Sequence, residues 1–159
     1  MVPTTAPAIE PRRIKFDDFD EITKEADRLL TQGYDKAGDW DLSQVCNHLA
    51  GALTVSVTTG VKPMVPLPVR WYIKWRYLNK VLRSGRLPRG VKAPEGLRSP
   101  QTGDPAVAVE RLREAVAKFK DHQGEVHPHP YFGRLNREEA RQFHLIHCAH
   151  HFSFLIPAS

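Results

Sequence analysis

The chain has 159 residues, 41% hydrophobic and 26% charged, which suits one globular domain with its own core and leaves little for a second. It has no apolar run of about 18 residues, its opening Met1 to Pro7 lacks a signal-peptide core, and its two cysteines, Cys46 and Cys148, cannot make a disulfide framework, so a cytoplasmic protein with no transmembrane segment is expected. The net charge of +5 is local: Arg70 to Lys92 holds eight Lys/Arg and no acid, leaving 15 bases against 18 acids elsewhere.

Residues 1–13, rich in Pro, Thr and Ala without an apolar period, read as a flexible leader, and residues 14–159 as one helical domain. The first helix follows, with Asp17 or Asp18 as cap, Phe19, Ile22, Ala26, Leu29 and Leu30 on one face, and Gly33 as its end. After a turn over 34–39 and Trp40, Asp41 with Gln44 forms a capping box for a second helix from Leu42 to about Thr59, with Gly60 beyond it. Its β-branched tail, Thr54 to Thr59, could form a strand, but the unbroken phase of Val45, His48, Leu49, Ala52 and Val55 favours helix.

The connection Val61 to Gly103 is too long to lack structure and is expected to contain an extra helix, Val69 to Leu82. Trp71, Trp75, Leu78 and Leu82 share a narrow stripe of that helix, which is expected to seal one end of the fold, with Lys and Arg left to solvent. Asp104-Pro105 opens a third main helix marked by Val107, Val109, Leu112, Val116 and Phe119 and ending near Gly124. A loop over 125–135 leads to a second capping-box pattern, Asn136 with Glu139, and a last helix from Arg137 to about Ile156, stopped by Pro157. No strand is expected. Four main helices with a long crossover between the second and third describe an all-α four-helix bundle, whose sites lie between facing helices.

The eight histidines are concentrated at the end of the chain, with His144, His147, His150 and His151 on the last helix. At about 100° per residue, His144, His147 and His151 share one sector and His150 points further round. His147 and His151 stand one turn apart, the spacing by which two helical imidazoles reach one ion. A third ligand must come from a neighbour, and His48, in phase with Val45, Leu49 and Ala52, is the one histidine on another main helix. Such a trio leaves two or three coordination positions open for water or substrate. The alternative is a set of partly exposed or carboxylate-bonded histidines without a metal. Cys46 lies on another face from His48, and Cys148, although in phase with the last-helix histidines, is not needed as a ligand.

The runs WDLSQVCNHLA (Trp40 to Ala50), HPYFGRL (His129 to Leu135) and HLIHCAHHF (His144 to Phe152) resemble those of an uncharacterised domain family within the DinB-like superfamily, over nearly the whole chain after the leader. The resemblance implies a DinB-like four-helix bundle binding a divalent metal, nickel or zinc, through His48, His147 and His151. It also implies chemistry akin to thiol-dependent transferases and isomerases, a small-molecule substrate such as a low-molecular-weight thiol, and pairing as a homodimer. The superfamily often follows its last histidine with Arg-Gly-Gln, where this chain has Phe152-Ser153-Phe154.

Around these ligands His129 and His144 are candidates for outer contacts or proton transfer, although His129 also reads as part of a Pro-stiffened turn. No carboxylate base is assignable, because Glu138 and Glu139 sit in the first turn of the last helix and suit its dipole. A metal-dependent hydrolase or thiol-dependent enzyme is one reading. The rivals are a non-catalytic module using segment 70–92 for nucleic acid or an anionic membrane, of which nucleic acid is the less favoured, and a bundle whose metal is structural.

Overall fold

The computed structural model describes residues 9–98, 100 and 102–159. Residues 1–8 of the expected leader lie outside the described residues. Among the described residues five helices form: α1 (Phe19–Gln32), α2 (Leu42–Val57), α3 (Leu67–Ile73, a π-helical turn Lys74–Leu78, then Asn79–Ser84), α4 (Pro105–Asp121) and α5 (Arg137–Phe152). A 3-10 turn, Glu95–Leu97, lies in the crossover, and two short strands, β1 (Tyr34–Lys36) and β2 (Leu155–Pro157), complete the order.

The helix starts follow local chemistry. Asp18, Asp41, Asp104 and Asn136 each accept a backbone N–H in the first turn of α1, α2, α4 and α5, and both capping boxes close. α1, α2, α4 and α5 share one core in which Ile22, Leu29, Leu42, Leu49, Leu53, Leu112 and Phe152 are almost fully buried. α2 packs along α4 more extensively than any other pair of elements. Arg12 is tied down ahead of α1: its backbone N–H donates to the Ser153 carbonyl, and its guanidinium pairs with the buried carboxylate of Glu25.

Several helix ends and faces differ from those expected of the sequence. The last helix ends at Phe152, not near Ile156, and the residues beyond it form a strand. Pro157 disfavours helical backbone at Ile156, and an extended tail buries Leu155 completely while pairing antiparallel with β1, Tyr34 opposite Pro157 and Lys36 opposite Leu155. That pairing also overturns the expectation of no strands. α2 stops at Val57, before its crowded β-branched tail is complete, and Gly60 (φ 66°) closes the turn by donating to the Val55 carbonyl. On α4 Val107 is 48% exposed, because a residue two places from Val109 points to the opposite side; Ala108 takes the core position.

The seal expected of α3 does not form. Leu78 is buried, but Trp71 and Trp75 are 75% and 68% exposed and seal nothing. The expected stripe requires a constant step of about 100° per residue, whereas the π turn Lys74–Leu78 unwinds the helix locally. Residues five apart then come nearer the same face, so Ile73, Leu78, Val81 and Leu82 pack toward Phe132, Phe143 and Ile146. The tryptophans are turned outward.

Candidate metal centre

Two capped helices and the crossover build the site. Asp41 Oδ1 accepts from Gln44 N at 2.9 Å and Gln44 Oε1 from Asp41 N at 3.0 Å, which sets the start of α2 two turns before His48. Asn136 and Glu139 exchange the same pair of bonds at 2.8 Å each, setting α5, which carries His147 and His151. Glu139 also holds Lys74 of α3 at 3.1 Å.

The three imidazoles converge. His147 Nε2 lies 3.2 Å from His48 Nε2 and 3.1 Å from His151 Nε2, and one nitrogen of each residue falls within 4.8 Å of the others. His48 Nδ1 is 2.8 Å from the carbonyl of Leu97. A carbonyl only accepts, so Nδ1 carries the proton and His48 Nε2 turns a bare lone pair to its neighbours. Mutual hydrogen bonds cannot serve all three nitrogens well: a proton on His147 Nε2 can aim at one neighbour, and without it His147 presents a second lone pair to His48.

A cation at the centre relieves that conflict. For metal–nitrogen bonds of about 2.1 Å, separations of 3.1–3.2 Å correspond to ligand–metal–ligand angles of roughly 95–100°. Two such angles, both involving His147, lie within the range of tetrahedral and octahedral coordination, and three protein ligands leave further positions open. The donor set and its spacing therefore fit a divalent ion.

The surroundings keep the imidazoles neutral, as ligation requires. Burial lowers the pKa of His48 against the opposing hydrogen bond to Leu97. His147 and His151 are driven well below the ordinary value, first by burial and then by the charge of neighbouring histidines. Trp40 stacks on His151, ring centroids 5.3 Å apart and planes 9° from parallel, and leans on His48 at 5.0 Å. Phe143 flanks His147 at 5.7 Å. His147 Nδ1 is buried with no hydrogen-bond partner among the described residues.

The other titratable groups add no ligand to this cluster among the described residues. His144 is enclosed between Phe119 and Phe143, which lowers its pKa to about 4. His129 Nδ1 accepts from the backbone of Tyr131 and Phe132, bracing the turn that Gly133 closes, and Phe143 lies between its ring and that of His147. His150 packs edge-on against both His151 and Phe154, ring centroids 5.1 and 5.5 Å away, without joining the three nitrogens. Cys46 and Cys148 are buried in the core. Glu138 is held by Arg141 and Gln142, and no carboxylate joins the three histidines among the described residues. A cavity of about 220 Å³ lies along α5 at Leu145 and Ala149, turned away from the ligand face.

Sequence reasoning missed Leu97 and the stacking role of Trp40. The signal for Trp40 was its place just before the Asp41 cap. For Leu97 the one hint is Gly51, one turn after His48: a Cβ there would sit 2.6 Å from Leu97 Cδ2, so the glycine leaves the Leu97 side chain room against α2.

The model of a family described as a protein of unknown function, DUF1569, matches residues 8–158, and the chain belongs to that family. No curated protein and no solved structure matches it. Nothing in these matches ties the chain to the DinB-like superfamily, so that likeness rests on the residues alone.

Proposed function

We propose that this DUF1569 chain is a DinB-like metal-binding bundle in which His48, His147 and His151 hold a divalent ion, nickel or zinc, with positions left for a small-molecule substrate. The observation that carries the reading is the convergence of three Nε2 atoms, one with its tautomer set by Leu97, at spacings that match one coordination sphere and that hydrogen bonding cannot satisfy. The likeness of Trp40–Ala50 and His144–Phe152 to DinB-like sequences supports it.

A bound divalent ion would supply Lewis acidity suited to hydrolysis or to thiol transfer and isomerisation with a low-molecular-weight thiol. The chain's own contribution is to hold three neutral imidazoles in place and to wall one side of the site with Trp40. His129 and His144 are proposed as outer residues that shape the pocket through Phe143. Metal analysis of protein purified without a histidine tag tests the reading. One equivalent of metal is expected in the parent and much less in His48→Ala and His151→Ala; full occupancy in both variants refutes the ligand set.

A further inference from the structure

We propose that the outward face of α3 docks on an anionic phospholipid surface. Leu67, Trp71 and Trp75, each four residues from the next, form one stripe and are 68%, 75% and 68% exposed; Tyr72 lies beside them at 53%. Together these side chains leave roughly 400 Å² of apolar surface in one place, as large as the patches that mark interaction sites on single-chain proteins. The opposite face of α3 is already committed, through Leu78 and Val81, to Phe132 and Phe143. The exposed stripe is therefore held rigidly outward.

Charge selects the occupant. The stripe lies within Arg70 to Lys92, with eight bases and no acid, and among the described residues Lys74 alone of these is in an ion pair. A second copy presenting the same face would bring like charges together. A helix reading nucleic acid leads with its bases and polar groups, whereas here Leu67 and two tryptophans lead and Arg76, Lys80 and Arg83 flank them. That order matches an interfacial helix, whose apolar face sinks to the headgroup boundary while Lys and Arg meet anionic headgroups. No described helix is long and apolar enough to cross a membrane, so the contact is with the surface.

Full-length protein is titrated with vesicles of phosphatidylcholine alone and with vesicles containing about one-third phosphatidylserine, following sedimentation and tryptophan emission. Binding to the anionic vesicles is expected to be at least about tenfold tighter, with blue-shifted emission. The pair Trp71→Ala, Trp75→Ala and, separately, the pair Lys80→Glu, Arg83→Glu should each weaken it about tenfold or more. Both pairs change exposed side chains, and circular dichroism checks that the fold is kept; Val107→Ala, exposed on α4, should bind like the parent. Equal binding to both vesicle types, binding indifferent to the tryptophans, or tighter binding to a single- or double-stranded oligonucleotide would overturn the proposal.

Discussion

Lowering the pH from 7 to 5 should destabilise the metal-free protein through its buried His144 and half-buried His129. In the folded chain His144 titrates at about 4 and His129 at about 3, because burial disfavours the charged ring. In the unfolded chain both return to about 6.5. Between those values the unfolded state binds more protons than the folded state, so stability is fully present above the unfolded pKa and is lost as pH falls toward the folded one. Each such histidine removes about 2 kcal/mol between pH 7 and 5, and the two together about 4 kcal/mol, a large share of a typical stability of roughly 5–15 kcal/mol. Carboxylates of ordinary pKa contribute little in this window. Urea unfolding at pH 7, 6 and 5 measures the slope, and His144→Phe isolates one contribution. The phenyl ring keeps contact with Phe119 and Phe143 and cannot titrate, so the average slope between pH 7 and 5 should fall by about 1 kcal/mol per pH unit. Equal stability at pH 7 and 5, or an unchanged slope in His144→Phe, would refute the reasoning.

Zinc or nickel at about a hundred times its dissociation constant should stabilise the parent by about 2.7 kcal/mol in the same unfolding assay, and a chelator should reverse the gain. Asn136→Ala removes the cap of α5 and should cost about 1 kcal/mol. Arg12→Ala leaves the buried carboxylate of Glu25 with only the more distant Arg28 and should cost roughly 2 kcal/mol, which thermal melting detects. Burial pushes the thiol of Cys46 up to about 12 and that of Cys148 higher still, so neither should react with a thiol reagent in native protein at pH 8, and both should react in urea.

Much of the architecture was legible because it is written in local chemistry. Asp18, Asp41, Asp104 and Asn136 each announce a helix start, and the spacing of Ile22, Ala26 and Leu29, or of Leu112, Val116 and Phe119, announces the buried face. Helical phase likewise separates His150 from His147 and His151, since an angle of about 100° per residue holds along a regular helix. That regularity failed on α3, where the π turn shifted the phase, and beyond Phe152, where a partner strand 120 residues earlier in the chain made extended backbone the better use of Leu155 and Ile156.

By itself, the order of residues determined which imidazoles could share a face of a helix and which helices would carry them. It could not determine that His48 meets His147 at 3.2 Å, because that distance depends on how α2 and α5 cross, which the shared core sets. Nor could it show that a carbonyl 49 residues away assigns the proton of His48. A tautomer is chosen by whatever acceptor the fold delivers, and the Leu97 carbonyl reaches His48 where the crossover lies against α2, with the Leu97 side chain in the space that Gly51 leaves.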